Sequence, residues 1–315
     1  MAHFSVFQPA MRKVRTVREL LSNATKAVDR LDEVSESIAR LGQAVEELRT
    51  QSMRPPPVYL GDNTVVAKTT RGHRILVDSR DVGVGIHLIT EGTWESWIAG
   101  RFERLLHPGA TVIEVGANVG FYTLLGASII GPTGRYYAFE ANPHIGRLLS
   151  TSVGINGFGD RVTVFHKAAY GDRRRIPFHV LERYPGSSSI HPFSEEWLEQ
   201  MQDHARAIEV EAVPLDEVFP DESFKVDLVK IDAEGSEPHV FRGMERLLRR
   251  SQDVKIICEF DPKMISPAEP PQQFLELVEG LGFRCWRIEN PCGELKPMSK
   301  DQLLAAQHIE LLLTR

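Results

Sequence analysis

Between Arg12 and Arg49 the apolar residues recur in alternating steps of four and three. They fall at Val17, Leu21, Ala24, Val28 and Leu31, then at Val34, Ile38, Leu41, Val45 and Leu48. The step from Leu31 to Val34 is one residue short, as in a stammer between two coiled-coil segments. Charged residues fill the other faces, and the stretch holds no proline and a single glycine, Gly42. A narrow stripe of this kind predicts a helix that pairs with copies of itself over residues 17–48, making a homo-oligomer; the bland alternative is an amphipathic helix packed on its own domain. Its length would be roughly 55 Å at ~1.5 Å per residue. The prolines of "SMRPPP", Ser52 to Pro57, end it.

After Val58 the pattern shortens. "TVVAKTTRGHRILVDS" reads as a hairpin turning at Arg71-Gly72, and Thr93 to Leu106 has helical spacing with Thr93 as its N-cap. Short apolar runs then alternate with helical segments, placing strands near 111–115, 135–140, 162–167, 226–231 and 255–260. Such alternation predicts an α/β fold with a mostly parallel sheet covered on both faces. "FRCWRI" (283–288) and "HIELLLT" (308–314) lack a clear helix between them and should form an antiparallel pair at one edge. The chain thus divides into an N-terminal helix (1–52), a linker and β-rich cap (53–92), and an α/β domain (93–315).

Composition changes this picture little. The 315 residues are 42% hydrophobic and 25% charged, an ordinary globular balance. A net charge of −6 gives no reason to expect a nucleic-acid partner. Cys258, Cys285 and Cys292 have no metal-ligand spacing and are too sparse for a disulfide framework. No apolar run reaches the ~18 residues a bilayer span needs. The N-terminal segment has no long apolar core of the signal-peptide type. Cytoplasm is the expected compartment. The apolar "FSVF" and the basic Arg12, Lys13, Arg15 and Arg18 at one end of the helix would allow a peripheral contact with an anionic membrane surface if several copies are held together.

The candidate chemistry begins at "VIEVGANVGFYTLL", Val112 to Leu125. In open α/β sheets ligands bind beyond the carboxyl ends of the strands. Gly116 and Gly120 permit a tight turn and close approach of the backbone. A dinucleotide turn would carry a middle glycine, where this chain has Asn118. Glu114 repels a pyrophosphate but suits an ammonium group, and Asn118 can hydrogen-bond a carboxylate. "RYYAFE" ends the next strand at Glu140, placed to accept two ribose hydroxyls. The third strand ends at Lys167-Ala168-Ala169, where small side chains leave room for a flat base. An amino-acid site, a ribose site and a base site in that order describe S-adenosylmethionine.

These stretches, with "YAFEANP", "AAYGD" and "VKIDAEGSEPHVFRGM", resemble the FkbM-type S-adenosylmethionine-dependent methyltransferases, from about Leu88 to about Phe260. The resemblance implies a Rossmann-like class I methyltransferase fold with a seven-stranded sheet. It also implies O-methylation, commonly of sugars in glycans, glycolipids or glycosylated natural products, or of polyketide hydroxyls. The cofactor contacts expected are Glu114, Gly116, Asn118, Gly120, Phe121, Tyr122, Thr123, Glu140, Ala141, Ala168 and Asp232.

Asp232 stands at the end of the buried run "VDLVKI", followed by the turn Ala233-Glu234-Gly235 and a helix containing His239; Glu259 ends the next strand. Methyl transfer needs a group that takes the acceptor's proton. The order of candidates is Asp232, Glu234, then His239, with Glu259 on the same rim. Glu237 reads as a first-turn charge on its helix. The carboxylates lack a fixed ligand spacing, so no metal is assigned. Arg173, Arg174 and Arg175 read as a solvated turn or as a contact to an anionic acceptor. "GSSSI", Gly186 to Ile190, reads as a mobile covering loop, and "DPKMISPAEPPQQF" as a second rim. Two other classes compete: a nicotinamide-dependent oxidoreductase, and a coiled-coil scaffold with a non-catalytic domain.

Overall fold

The computed structural model describes residues 30–31, 34–43, 45 and 55–315. The chain falls into two units, Met1–Arg54 and Pro55–Arg315. In the first, residues 30–31, 34–43 and 45 are helical. Leu31, Val34, Ile38, Leu41 and Val45 lie on its surface, the least exposed being Val34 at 54%. The other expected stripe positions, Val17, Leu21, Ala24, Val28 and Leu48, and the segment around Phe4–Phe7 and Arg12–Arg18, lie outside the described residues.

The second unit opens with an antiparallel sheet of β1 (Val58–Gly61), β2 (Thr64–Lys68) and β3 (Arg74–Asp78). The hairpin expected at Arg71-Gly72 joins β2 to β3. The next long helix runs Ser96–Leu105 and starts after Glu95, not at Thr93. Glu95 has a left-handed φ of 41°, and no side chain caps the helix.

The α/β part forms one eight-stranded sheet. Its strands are β4 (Thr111–Val115), β5 (Arg135–Phe139) and β6 (Val162–Phe165), then β10 (Leu228–Ile231), β11 (Lys255–Phe260), β12 (Arg284–Ile288), β13 (Leu295–Pro297) and β14 (Ile309–Thr314). The order across the sheet is β13-β12-β14-β11-β10-β4-β5-β6. Strands β11, β10, β4, β5 and β6 run parallel. β14 pairs antiparallel with both β11 and β12, so it sits inside the sheet and not at its margin. The short strand β13 extends the expected seven strands to eight.

β4 and β10 are buried on both faces, which is why "TVIEV" and "LVKI" read as near-continuous apolar runs. The chain leaves β4 toward β5 and β6, then returns to β10 on the other side of β4. The switch point therefore lies between the carboxyl ends of β4 and β10. The crossover helix Phe121–Ile130 has eight of its ten residues buried, as a helix wedged between sheet and outer layer requires.

The about fifty residues between "AAYGD" and "VDLVKI" are more ordered than their composition suggested. They supply β8 (Arg174–Leu181) and β9 (Ala205–Val213), which with β7 (Ala168–Ala169), inside "AAYGD", make a third sheet. β8 and β9 pair antiparallel from Arg174↔Ala212 to Leu181↔Ala205.

Candidate active site

A cavity of about 250 Å³ opens at the switch point, between the β4 turn and the ends of β5, β10 and β11. The turn takes its shape from close packing. A Cβ on Gly116 (φ 76°) would lie 1.8 Å from the Asp232 carbonyl oxygen, so only glycine lets β4 and β10 approach there. A Cβ on Gly120 (φ 95°) would lie 2.3 Å from Leu149 Cδ1. The backbone N–H groups of Gly116 and Ala117 both donate to the Phe139 carbonyl (3.0 Å), tying the turn to β5.

Glu140 holds the turn from the other side. Its Oε2 accepts from the Asn118 N–H (2.8 Å) and its Oε1 from the Asn142 N–H (2.7 Å). Asn142 in turn caps the helix Pro143–Ile155, accepting from the His144 and Ile145 N–H groups. Glu140 is buried yet lines the cavity, and burial pushes its carboxyl up to about 7 against the pull of those N–H donors.

Side chains alternate across strands, so register sets which acids share a face. Lys230 lies opposite Glu114 on β4 and Ile257 on β11, and Glu259 lies opposite Glu310 on β14. One face of the sheet therefore carries Glu114 and Lys230 in one row, with Asp232, Glu259 and Glu310 in the row above. Glu114 accepts from the Thr123 hydroxyl (2.5 Å) and the Tyr136 hydroxyl (2.8 Å), both on Oε2. Burial pushes it up to about 7, while Lys230 and the two hydroxyls pull the other way.

Lys230 escaped the sequence reading, though a charge inside "VDLVKI" was its signal. It is 2% exposed, with Nζ 3.0 Å from Asp232 Oδ2 and 4.6 Å from the Tyr122 ring centroid. Burial alone would lower its pKa, but Asp232, Glu310, Glu95 and Glu114 outweigh that and raise it, so the amine stays charged. Glu95, also missed, lines the cavity and accepts from the Tyr122 hydroxyl at 3.0 Å.

Of the proposed catalytic residues, Asp232, Glu234 and Glu259 line the cavity. Glu234 has a left-handed φ of 51°, and its carbonyl accepts from the Ser189 hydroxyl at 2.8 Å. Burial, then the neighbouring Asp232 and Glu237, raise the Glu234 carboxyl. Burial, then Glu234 and Asp232, raise Glu259, whose Oε1 lies 3.0 Å from His308 Nδ1. Glu237 begins its helix, but it is buried and accepts from the Ala233 N–H (2.9 Å), so it also shapes the turn.

His239 is not on the cavity wall. Its ring stacks on Tyr170 (centroids 4.2 Å apart), with Nε2 3.2 Å from the Tyr170 hydroxyl, and Tyr170 is the residue that faces the cavity. Of the expected cofactor contacts, Glu114, Gly116, Asn118, Phe121, Tyr122, Glu140, Ala141, Ala168 and Asp232 line the cavity; Gly120 and Thr123 do not.

The segment read as a mobile loop forms part of the wall. Pro185–Ser187 is a 3₁₀ turn, Ser188 and Ser189 are buried, and a Cβ on Gly186 would lie 2.9 Å from Asn118 Nδ2. Arg173 pairs with Glu217 and Glu211, and Arg174 with Asp172; both are exposed and do not themselves line the cavity. The "DPKMISPAEPPQQF" segment does not line the cavity either. Its Met264 carbonyl instead closes on Gly235, where a Cβ would lie 2.4 Å away.

This residue set fits S-adenosylmethionine. Glu114 could meet an ammonium group, Glu140 has acceptor capacity for hydroxyls, and the small Ala141 after β5 and Ala168 after β6 leave room for a flat base.

Among solved structures, the chain is similar to an S-adenosylmethionine-dependent O-methyltransferase from Thermotoga maritima, at 11% identity and a TM-score of 0.38, covering 82% of this chain and 84% of that one. An O-methyltransferase from Bacillus cereus, solved with S-adenosylhomocysteine, matches at 13% identity and a TM-score of 0.38, covering 70% and 80%. An rRNA methylase from Streptococcus thermophilus matches at 11% identity and 0.39, covering 69% and 93%. The family described as "Methyltransferase FkbM domain" matches residues 114–285. That match takes in the β4 turn, Glu140, Lys230, Asp232, Glu234 and Glu259, and it spans more than half of the 315 residues, so the chain belongs to the FkbM methyltransferase-domain family.

Proposed function

We propose that this methyltransferase is an O-methyltransferase acting on a sugar hydroxyl of a glycan, a glycolipid or a glycosylated natural product. Its methyl donor is S-adenosylmethionine, and family membership removes the nicotinamide-dependent alternative. The observation that carries the acceptor reading is the cavity wall at the ends of β10 and β11, where Asp232, Glu234 and Glu259 stand together. Grouped carboxylates suit a polyol, whose neighbouring hydroxyls each need an acceptor.

When bound, the cofactor supplies an electrophilic methyl group on a sulfonium. Glu114 and Glu140 orient the amino-acid and ribose ends. An acceptor oxygen bound there would receive that methyl group, and a carboxylate of the cavity wall would take the hydroxyl proton. Asp232 is the first choice for that proton, since Lys230 holds it in place and it faces the cavity. Glu234 is second. His239 stays third, since Tyr170 stands between it and the cavity.

The test is transfer of a tritiated methyl group from S-adenosylmethionine into extracted glycans and glycolipids. Base-stable label on sugar oxygens is expected. Label on protein or nucleic acid alone would refute the acceptor class.

We also propose that residues 17–48 associate with copies of themselves, supported by the exposed stripe Leu31, Val34, Ile38, Leu41 and Val45.

A further inference from the structure

We infer that Glu259, His308 and Glu310 form a binding site for a divalent cation of the Mn²⁺ type. No metal was expected from the sequence, because the three ligands are brought together by strand pairing and not by a local spacing. Glu259 and Glu310 are direct antiparallel partners, so their side chains leave the sheet on the same face. Like charges placed directly opposite one another are unfavourable unless something stands between them. His308 immediately precedes β14, and its Nδ1 lies 3.0 Å from Glu259 Oε1.

One ligand atom from each of the three residues lies within 4.8 Å of the others. Ligands at about 2.0–2.6 Å from a shared ion are separated by up to roughly 4–5 Å, so the spacing fits a common centre. A second observation points the same way. Glu310 is 8% exposed, and its Oε2 is buried with no hydrogen-bond partner. A buried carboxylate oxygen without a donor is costly, and a cation is the group that would satisfy it. Lys230 does not do so, since its amine is directed to Asp232 Oδ2 at 3.0 Å and over the Tyr122 ring.

Two carboxylates and one imidazole suit a first-row divalent ion better than Mg²⁺ or Ca²⁺, which prefer all-oxygen shells, and Mn²⁺ is the member of that group that carboxylates favour. Asp232 and Glu234 form a second group of the same spacing with Glu259, offering further oxygens on the cavity side. His308 is 58% exposed and lines the cavity, which gives the ion its entry path. The inference does not rest on the sugar O-methylation reading, because it is read by binding alone.

The experiment is titration of the EDTA-stripped full-length chain with Mn²⁺, following the free ion by electron paramagnetic resonance. One saturable site per chain is expected. Its affinity should fall at least tenfold in Glu310→Gln and in His308→Ala, while Asp160→Asn, at an exposed acid remote from the cluster, should leave it unchanged. If Glu310→Gln fails to fold, the exposed His308→Ala carries the comparison. Absence of saturable uptake overturns the site. So does uptake of equal affinity in wild type and the folded variants, which would indicate adventitious surface binding. Calorimetry of S-adenosylhomocysteine without Mn²⁺ runs alongside, so loss of the cation site and loss of the donor site are read separately.

Discussion

Replacing Lys230 by methionine should be among the most damaging single changes to the sheet. Methionine keeps an unbranched chain of similar length, so volume is nearly conserved. What disappears is the Nζ contact with Asp232 Oδ2 at 3.0 Å and the cation over Tyr122 at 4.6 Å. A hydrogen bond between charged groups contributes about 1.5–3 kcal/mol, and a desolvated cation–π contact about 2. Relief of the lysine's own desolvation offsets part of this. Asp232 would lose its ion-pair partner and the buried Glu114 its nearest cation, and breaking such a buried network typically costs about 3–5 kcal/mol. That is a large share of the ~5–15 kcal/mol that holds a domain together.

The loss should depend on pH with a definite sign. Glu114 is pushed by burial from 4.5 up to about 7 even with Lys230 present. A raised acid holds extra protons in the folded state between those values, so its contribution to stability falls as pH rises through that window. Without Lys230 the folded pKa rises further, and the window extends upward. The gap between wild type and Lys230→Met should therefore be smaller at pH 6 than at pH 8. Urea unfolding at both pH values measures it. Equal stability at pH 8, or a gap that widens toward pH 6, would refute the view that Lys230 compensates these acids.

Three further outcomes are expected. Asp232→Asn should lower kcat by about 10²-fold or more while S-adenosylhomocysteine still binds, whereas His239→Ala should lower it far less, as steady-state kinetics would show; the reverse ranking would make His239 the base. Gly116→Ala must place a methyl group 1.8 Å from the Asp232 carbonyl at a left-handed φ, so urea unfolding should show a loss of about 2–5 kcal/mol, and an unchanged midpoint would contradict that packing. A chain beginning at Pro57 should have a lower oligomer mass by light scattering than the full chain, and equal masses would show that the helix does not set assembly.

The parallel strands were legible because burial on both faces leaves a nearly continuous apolar run, as in "TVIEV" and "LVKI". The three strand ends were legible because glycines and acids interrupt those runs at their carboxyl ends. Two kinds of feature were not. The sheet of β7, β8 and β9 hid behind exposed arginines and a proline-containing segment, since one of its faces meets solvent and its pairing spans some thirty residues. The charge rows were hidden too. Glu114, Lys230, Glu259 and Glu310 lie on four different strands, and register across β4, β10, β11 and β14 is what brings them to one face. His239 failed as a wall residue for a related reason: the helix Glu237–Arg242 turns it onto Tyr170.

The most direct measurement is calorimetric titration of S-adenosylhomocysteine into the full-length chain and its Glu140→Ala variant. Glu140 clamps the Asn118 and Asn142 N–H groups and faces the cavity, so its loss should remove both the turn's anchor and the proposed ribose acceptor. The wild type should bind one equivalent, and the variant should bind it more weakly by about 1–3 kcal/mol, roughly 5- to 150-fold in Kd. No binding by the folded wild type, or equal affinity in the two proteins, would contradict the placement of the methyl donor in this cavity.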